Sequence, residues 1–535
     1  MAKLDSLTSL RFFAALWIVI YHARDQFNCL WDLPRNIVFS QGVTFFFVLS
    51  GFILAYVYPK LDSQKNIAIY LTRRIGRIWP LHAAVLISIA LKLPQDVQLV
   101  PVSHQAPYFL LFFTNLFMLQ SWFPIDQFFF SFNPPAWSIS NEFFFYLILP
   151  LILLGNKLTI KLSILPLIVS FSAVVLMCVF SNSLNLPMVN NEALSLQALI
   201  GVNPLVRVFD FCLGVVFAQV FSKCKFKWNQ IQATLFEIAA LTLALWMILS
   251  TAAIASSAEQ IPNISKAGAY WLRESGLVAI PFALLIFTLA HQKGLLAKIL
   301  SAPPLVLLGE ISFAIYLLHF PLIKMFYVYI PQERSVTDFG LYLTVLFCIS
   351  YLSYKLWERP WRDYFAHIAD KDNVKFAKQK LGPSLIVSLV LICLTVSNLV
   401  VRLHIEILSE SDLAQVKSKK TYQATNIDFG SDLKLDGYWF SDAVMAKKLS
   451  LCWTISENNR LDFNQPLLIQ FFNKKGELFH QQQLKLWPDS KGKVCFQLGG
   501  GSFTLPLEIP EQVFLDAEKM TIKTNQNTKT ITLSH

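Results

Sequence analysis

Charge is scarce in this 535-residue chain: only 15% of residues are Asp, Glu, Lys or Arg, against roughly 25% in a soluble domain. With 55% hydrophobic residues and a mean hydropathy of +0.49, the chain as a whole is excluded as a water-soluble globule. Metal-ligand spacing is also missing. Of the eight cysteines, Cys29, Cys178, Cys212, Cys224, Cys348 and Cys393 lie in or beside apolar runs and read as small packing residues, so no metal is expected. The other two, Cys452 and Cys495, are a candidate disulfide if their stretch lies in an oxidising compartment. The N-terminal apolar run lacks a small-residue cleavage site, is long, and contains Arg11 and His22; it reads as a retained span, not a cleaved signal. Residues 403–535 lack net charge, with 15 basic and 15 acidic side chains. The whole +11 excess therefore sits in residues 1–402, as 30 basic and 19 acidic residues. That placement favours membrane sidedness over binding of nucleic acid.

What is present is a series of apolar runs long enough to cross a hydrocarbon core of about 30 Å. Eleven spans are expected, at about 8–25, 37–58, 79–93, 138–155, 161–181, 204–221, 231–253, 273–290, 305–329, 338–357 and 383–402. A twelfth candidate, 107–121, is rejected on charge. With the N-terminus inside, 19 Lys and Arg fall on cytosolic segments and about six outside, whereas a span at 107–121 would invert every later loop. It is instead expected as a surface or re-entrant segment on the outer side, tolerated where it lies against protein or a cavity.

Ionisable side chains inside spans are costly and mark candidate sites. In LTSLRFFAALWIVIYHARD, Arg11 and His22 are eleven residues apart, about three turns and 16 Å, so they share a helix face. Each alone also fits snorkelling to its nearer interface. Arg73, Arg74 and Arg77 in LTRRIGRIWPLH cluster at i,i+3 and i,i+4 spacing and suit phosphate, or a positive-inside anchor. In NPPAWSISNEFFFYLILP, Glu142 follows a Pro-Pro turn and either caps a helix or orients a catalytic group. In GEISFAIYLLHFPLI, Ser312, Tyr316 and His319 line up at i, i+4, i+7; a satisfied core histidine is the plainer reading. In GVTFFFVLSGF, Ser50 and Gly51 permit close helix approach.

Taken together, RFFAALWIVIYH, FFFVLSGF, RRIGRIWPLH, PPAWSISNEFFFYLILP and GEISFAIYLLHFPL, with RVFDFCLGVVFA and WERPW, resemble the acyltransferase family 3 membrane enzymes, in the family's order over about 5–362. The resemblance implies a ten-helix core that takes acyl-CoA from the cytosol and O-acylates an extracytoplasmic glycan, with acetyl as the default group. It implies catalytic roles for His22, Glu142, Tyr316 and His319, and a donor-binding role for Arg11, Arg73, Arg74, Arg77 and Ser138. The extra span followed by an outside domain also resembles a family layout. There the appended domain is often an esterase-like module, but this tail lacks a Gly-Asp-Ser nucleophile and an Asp-x-x-His pair.

The expected fold is an all-α polytopic bundle, 1–362, a cytosolic linker with an eleventh span, 363–402, and a small all-β periplasmic domain, 403–535. Short runs such as LSLCWTI and KVCFQL between turn residues carry the last expectation. Tyr438, Trp439, Trp453 and Trp487 there read as core or as a sugar platform. The expected protein is a bacterial inner-membrane O-acetyltransferase. It uses acetyl-CoA on a hydroxyl of lipopolysaccharide O-antigen, capsule or exopolysaccharide, with His22 as general base, less simply an acyl carrier. In that scheme Glu142 orients His22, and Tyr316 or His319 supplies a proton. A transporter or lipid-linked-glycan flippase, and a sensor with an outer ligand-binding domain, are the rival classes.

Overall fold

In the computed structural model, the described residues are 3–24, 26–27, 30, 37–92, 108–154, 164–189, 193–224, 226–261, 265–329 and 335–370. Beyond them only the backbone of eight strands between Gln423 and Thr532 is described. The chain divides into two compact units, the first formed by Met1–Leu93 and Val97–Thr395 and the second by the remainder.

The first unit is helical. Its helices of eight or more residues are α1 Asp5–Ala23, α2 Gln41–Val57, α3 Gln64–Lys92, α4 Tyr108–Leu116, α5 Trp137–Leu154, α6 Leu165–Ser183 and α7 Pro204–Lys223. They continue as α8 Gln230–Ala258, α9 Lys266–Ala290, α10 Pro303–Glu310, α11 Ser312–Tyr329, α12 Val336–Ser353 and α13 Arg359–Asp370. Among the described residues seven helices are long and apolar enough to cross a membrane, and eight if α10 and α11, bent by 56°, form one span. The chain is thus a multi-pass membrane protein. A helix coincides with each of the first ten expected spans; the eleventh, 383–402, lies outside the described residues.

Two segments depart from simple hydropathy. α3 starts 15 residues before the expected 79 and runs 29 residues, about 43 Å at 1.5 Å per residue. Arg73, Arg74 and Arg77 therefore ride on the same helix as the expected third span. Arginine and lysine are good helix formers, so the helix outlasts its apolar stretch, and it passes through Pro80 as membrane helices tolerate. α4 has only nine residues, about 13 Å, too short to cross. Beyond it the backbone turns back, and two of its carbonyls are satisfied by α3: His82 Nε2 lies 2.8 Å from the Asn115 oxygen and Trp79 Nε1 donates to Leu116 at 3.0 Å.

Side-chain contacts check the topology independently of charge. Arg73 donates to Asp370 at 2.7 Å, so an even number of crossings separates them. With α3 counted as the expected third span, the crossings α3, α5, α6, α7, α8, α9, α10 with α11, and α12 number eight, and a further span at 107–121 would make them odd. Lys298 reaches Gln230 and Gln292 reaches the Lys3 carbonyl at one face, while Ser40 reaches Glu274 and Gln41 reaches the Arg273 carbonyl at the opposite one.

The bundle is built around the crossing of α2 and α7. A Cβ placed on Gly51 would stand 2.0 Å from the Phe211 carbonyl oxygen, and one on Gly214 would stand 2.0 Å from that of Val48. The two backbones touch through reciprocal glycines, the small-residue packing that membrane helices use in place of a hydrophobic drive.

In the second unit, antiparallel pairing gives two four-stranded sheets, ordered β1-β2-β3-β6 and β5-β4-β7-β8. The strands are β1 Gln423–Asp428, β2 Leu433–Ala443, β3 Ala446–Ile455, β4 Leu467–Asn473, β5 Leu478–Leu484, β6 Gly492–Leu498, β7 Ala517–Lys523 and β8 Thr528–Thr532. The β3–β6 register sets Cys452 opposite Cys495. The side chains of Tyr438, Trp439, Trp453 and Trp487 lie outside the described residues.

Candidate active site

A cavity of about 220 Å³ lies inside the helical unit, lined by residues of α1, α2, α3, α5 and α11. Its polar wall holds Arg11, Ser50, Arg74, Arg77, Ser138, Glu142, Tyr146, Ser312 and Tyr316. Six of the nine candidates read from the sequence thus share one chamber. Each arrives by a local rule. Arg74 and Arg77 are one turn apart on α3, and Arg11 lies in the second turn of α1. Ser138 and Glu142 lie at i,i+4 on α5, as do Ser312 and Tyr316 on α11.

Glu142 is not a cap. α5 begins at Trp137, because the Pro134–Ala136 turn feeds directly into it, and Glu142 sits a turn further in. Its carboxylate accepts from the Tyr146 hydroxyl at 2.5 Å and from Ser50 at 3.2 Å. Arg11 is within electrostatic reach of Arg77, Glu142 and Glu358. The chamber therefore sets three guanidiniums against a hydrogen-bonded carboxylate, a surface that can receive an anionic ligand.

Ser138, Tyr316 and the Pro135 carbonyl close a triangle: the hydroxyls are 2.7 Å apart, Tyr316 lies 2.8 Å and Ser138 3.0 Å from the carbonyl oxygen. Two hydroxyl protons are shared among these three oxygens, so both side chains are anchored to the Pro-Pro turn. Tyr316 is a fixed part of the wall in this arrangement and not a free proton donor.

Arg73, His22 and His319 do not line this chamber. Arg73 points away and pairs with Asp370 of α13, where Phe365 packs on Gly76 so closely that no Cβ fits between them. His22 pairs with His319: Nε2 of His319 lies 3.1 Å from Nδ1 of His22. The chain thus brings together two histidines 297 residues apart, and His22 faces His319 where Glu142 was the expected partner. Tyr316 joins the two sites, because its ring lines the chamber while its carbonyl oxygen lies 2.6 Å from His319 Nδ1. His319 is fully buried.

Buried ionic groups beyond the nine candidates include Glu237, Glu358 and an Arg–Asp pair. Arg207 and Asp210, 3% and 0% exposed, pair at 3.2 Å. Arg207 also donates to Thr44 at 2.7 Å and lies 5.2 Å over the Phe47 ring of the chamber wall, while Ser275 bonds Asp210. The i,i+3 spacing of Arg207 and Asp210 in RVFD was the available signal. Among the described residues no group of three or more His, Cys, Asp or Glu is placed to hold a metal ion.

Comparison with known proteins bears on this geometry. The acyltransferase domain of acyltransferase family 3 matches residues 4–355, a range that contains every residue of the chamber and both histidines. Acyltransferase MdmB of Streptomyces mycarofaciens is 29% identical over 346 residues, covering 60% of this chain and 79% of its own. Peptidoglycan O-acetyltransferase OatA of Listeria monocytogenes is 26% identical over 449 residues, covering 79% of this chain, which spans 65% of the Listeria protein's length. No solved structure gives a significant match.

Proposed function

The chain belongs to acyltransferase family 3, and from that membership we propose that it moves an acetyl group from cytosolic acetyl-CoA to a hydroxyl of an extracytoplasmic glycan. That it is a membrane O-acyltransferase sets the transporter and sensor readings aside. The proposed acceptor is a surface polysaccharide such as lipopolysaccharide O-antigen, capsule or exopolysaccharide; the peptidoglycan named for the Listeria relative is a glycan of the same broad class. The proposed setting is the bacterial inner membrane with the N-terminus cytosolic, supported by the 19 basic residues that this orientation puts inside.

The observation that carries the reading is the chamber with Arg11, Arg74 and Arg77 on its wall, joined through Tyr316 to a histidine pair. Guanidiniums bind phosphate oxygens bidentately, which fits the phosphates of coenzyme A. His22 takes the proton of the acceptor hydroxyl as its oxygen attacks the thioester carbon. Arg11, about 16 Å from His22 along α1, joins Arg74 and Arg77 in holding the donor. The C–S bond then breaks, and the imidazolium returns the proton to the departing thiolate. Glu142, held by Tyr146 and Ser50, orients the arginines in this scheme in place of His22. Arg73 is assigned to the contact with α13, outside the donor site.

Calorimetric titration of the full chain in nanodiscs with acetyl-CoA tests the donor reading. Arg77→Ala is expected to weaken binding at least about tenfold, the worth of one charge-assisted contact, and Arg73→Ala to change it less than twofold. Absence of binding by the unaltered protein would remove acetyl-CoA as donor. Mass spectrometry of surface glycans, with and without the protein, identifies the acceptor.

Residues 403–535 are proposed as an extracytoplasmic all-β accessory domain, supported by the two sheets. Cys452 and Cys495, opposite in register, are expected to be oxidised there. Maleimide-polyethylene glycol should add to both only after reduction; labelling of both without reductant would count against that location or that pairing.

A further inference from the structure

We infer that His319 is a positioning residue that acts through His22 by fixing its tautomer, and that it neither gives nor takes the transferred proton. The inference builds on His22 as the base proposed above. His319 Nδ1 lies 2.6 Å from the Tyr316 carbonyl oxygen. A carbonyl only accepts, so this nitrogen carries the hydrogen. In the neutral ring Nε2 then holds a lone pair, and it is this lone pair that lies 3.1 Å from His22 Nδ1.

His22 Nδ1 lies equally close, 3.1 Å, to the Ile18 carbonyl oxygen. Both of its neighbours are acceptors, so Nδ1 of His22 carries the hydrogen and shares it between them. One assignment satisfies all three contacts for a neutral pair. It leaves Nε2 of His22 with the lone pair, the atom that a base needs. The opposite tautomer would set two lone pairs against each other at Nδ1 and leave Nε2 capped by a hydrogen.

Everything around His319 resists reorientation. It is fully buried, its backbone carbonyl accepts from the Tyr342 hydroxyl at 3.2 Å, and its ring lies 5.7 Å from that of Tyr316. The role matches that of the carboxylate in a Ser-His-Asp triad, which holds the imidazole tautomer and orientation, but here a neutral acceptor performs it. A charged acceptor at this depth would cost more. When His22 gains a proton, the shared Nδ1 hydrogen becomes a charge-assisted donor to His319.

The test is ¹⁵N spectroscopy of histidine-labelled full-length protein in nanodiscs, with the His22 signals identified by their loss in His22→Gln. His22 is expected with Nδ1 protonated and Nε2 bare; the reverse pattern in the unaltered protein overturns the inference. His319→Leu should mix the two forms and lower kcat by about 10²-fold or more while the KM for acetyl-CoA stays within about twofold. His319→Gln, whose amide oxygen still accepts, should keep the Nδ1 hydrogen and recover part of kcat. An unchanged His22 spectrum with unchanged kcat in His319→Leu also overturns it. If His22→Ala retains acylation, the base assignment falls, and the spectra then judge the tautomer separately.

Discussion

His22→Ala is expected to reduce acetyl transfer by about 10²–10⁴-fold, the usual contribution of a positioned general base, while the protein still inserts and folds. The nearest groups are poorly placed to replace it. Arg11 shares its helix but stays protonated, and Tyr316 is held by Ser138 and Pro135. His319 keeps one nitrogen on the Tyr316 carbonyl, and its other nitrogen faces Nδ1 of His22, a ring's width back from the Nε2 edge where the acceptor would meet His22. The measurement is acetylated glycan per unit of folded protein, by mass spectrometry and size-exclusion chromatography together. Binding of acetyl-CoA should persist in the variant, because His22 is not part of the chamber wall. Acetylation within threefold of the unaltered protein would end the assignment.

The second large effect concerns architecture. Gly214→Leu is expected to destabilise the bundle by ~3 kcal/mol or more, at the upper end of overpacking penalties, and to lower the yield of monodisperse protein sharply. The obstruction is backbone: the added Cβ meets the Val48 carbonyl oxygen at 2.0 Å, and no side-chain rotation relieves it. α2 would have to move away from α7, taking with it Phe46, Phe47, Ser50 and Ile53 of the chamber wall. Gly51→Leu should act alike from the other side. Gly340→Ala is the control, since nothing lies within 4 Å of a Cβ there. Equal thermal unfolding of Gly214→Leu and Gly340→Ala would show that the crossing is not closed as described.

Much of this was readable in advance because membranes impose simple rules. Apolar runs of sufficient length mark α1, α2 and α5 to α12, and charge placement rejects 107–121 before any contact is seen. Spacing alone puts Arg74 beside Arg77, and Ser138 beside Glu142. What spacing cannot supply is the partner across the bundle. Glu142 follows two prolines and so resembles a helix cap, yet Tyr146 and Ser50 claim its carboxylate. Arg73 cannot be told from Arg74 until α13 packs on α3 and Asp370 takes it. The start of α3 was missed because hydropathy registers solvent preference, and a helix rich in arginine can continue past the end of its apolar stretch. His22 and His319 were both visible as histidines in apolar surroundings; their contact is a property of the folded bundle.

Tyr316 presents its ring to the chamber and its carbonyl to the histidine pair, so the site proposed for the donor's phosphates and the proposed base lie on two sides of one residue. An acyltransferase open to water on both sides of a membrane risks spending its thioester on hydrolysis. In the proposed scheme the thioester meets the base only when the donor's arm reaches past Tyr316 to His22, which would keep such waste slow at other times. Coenzyme A release should then track acceptor acetylated nearly one for one, and the idle enzyme should leave the cell's acetyl donor intact.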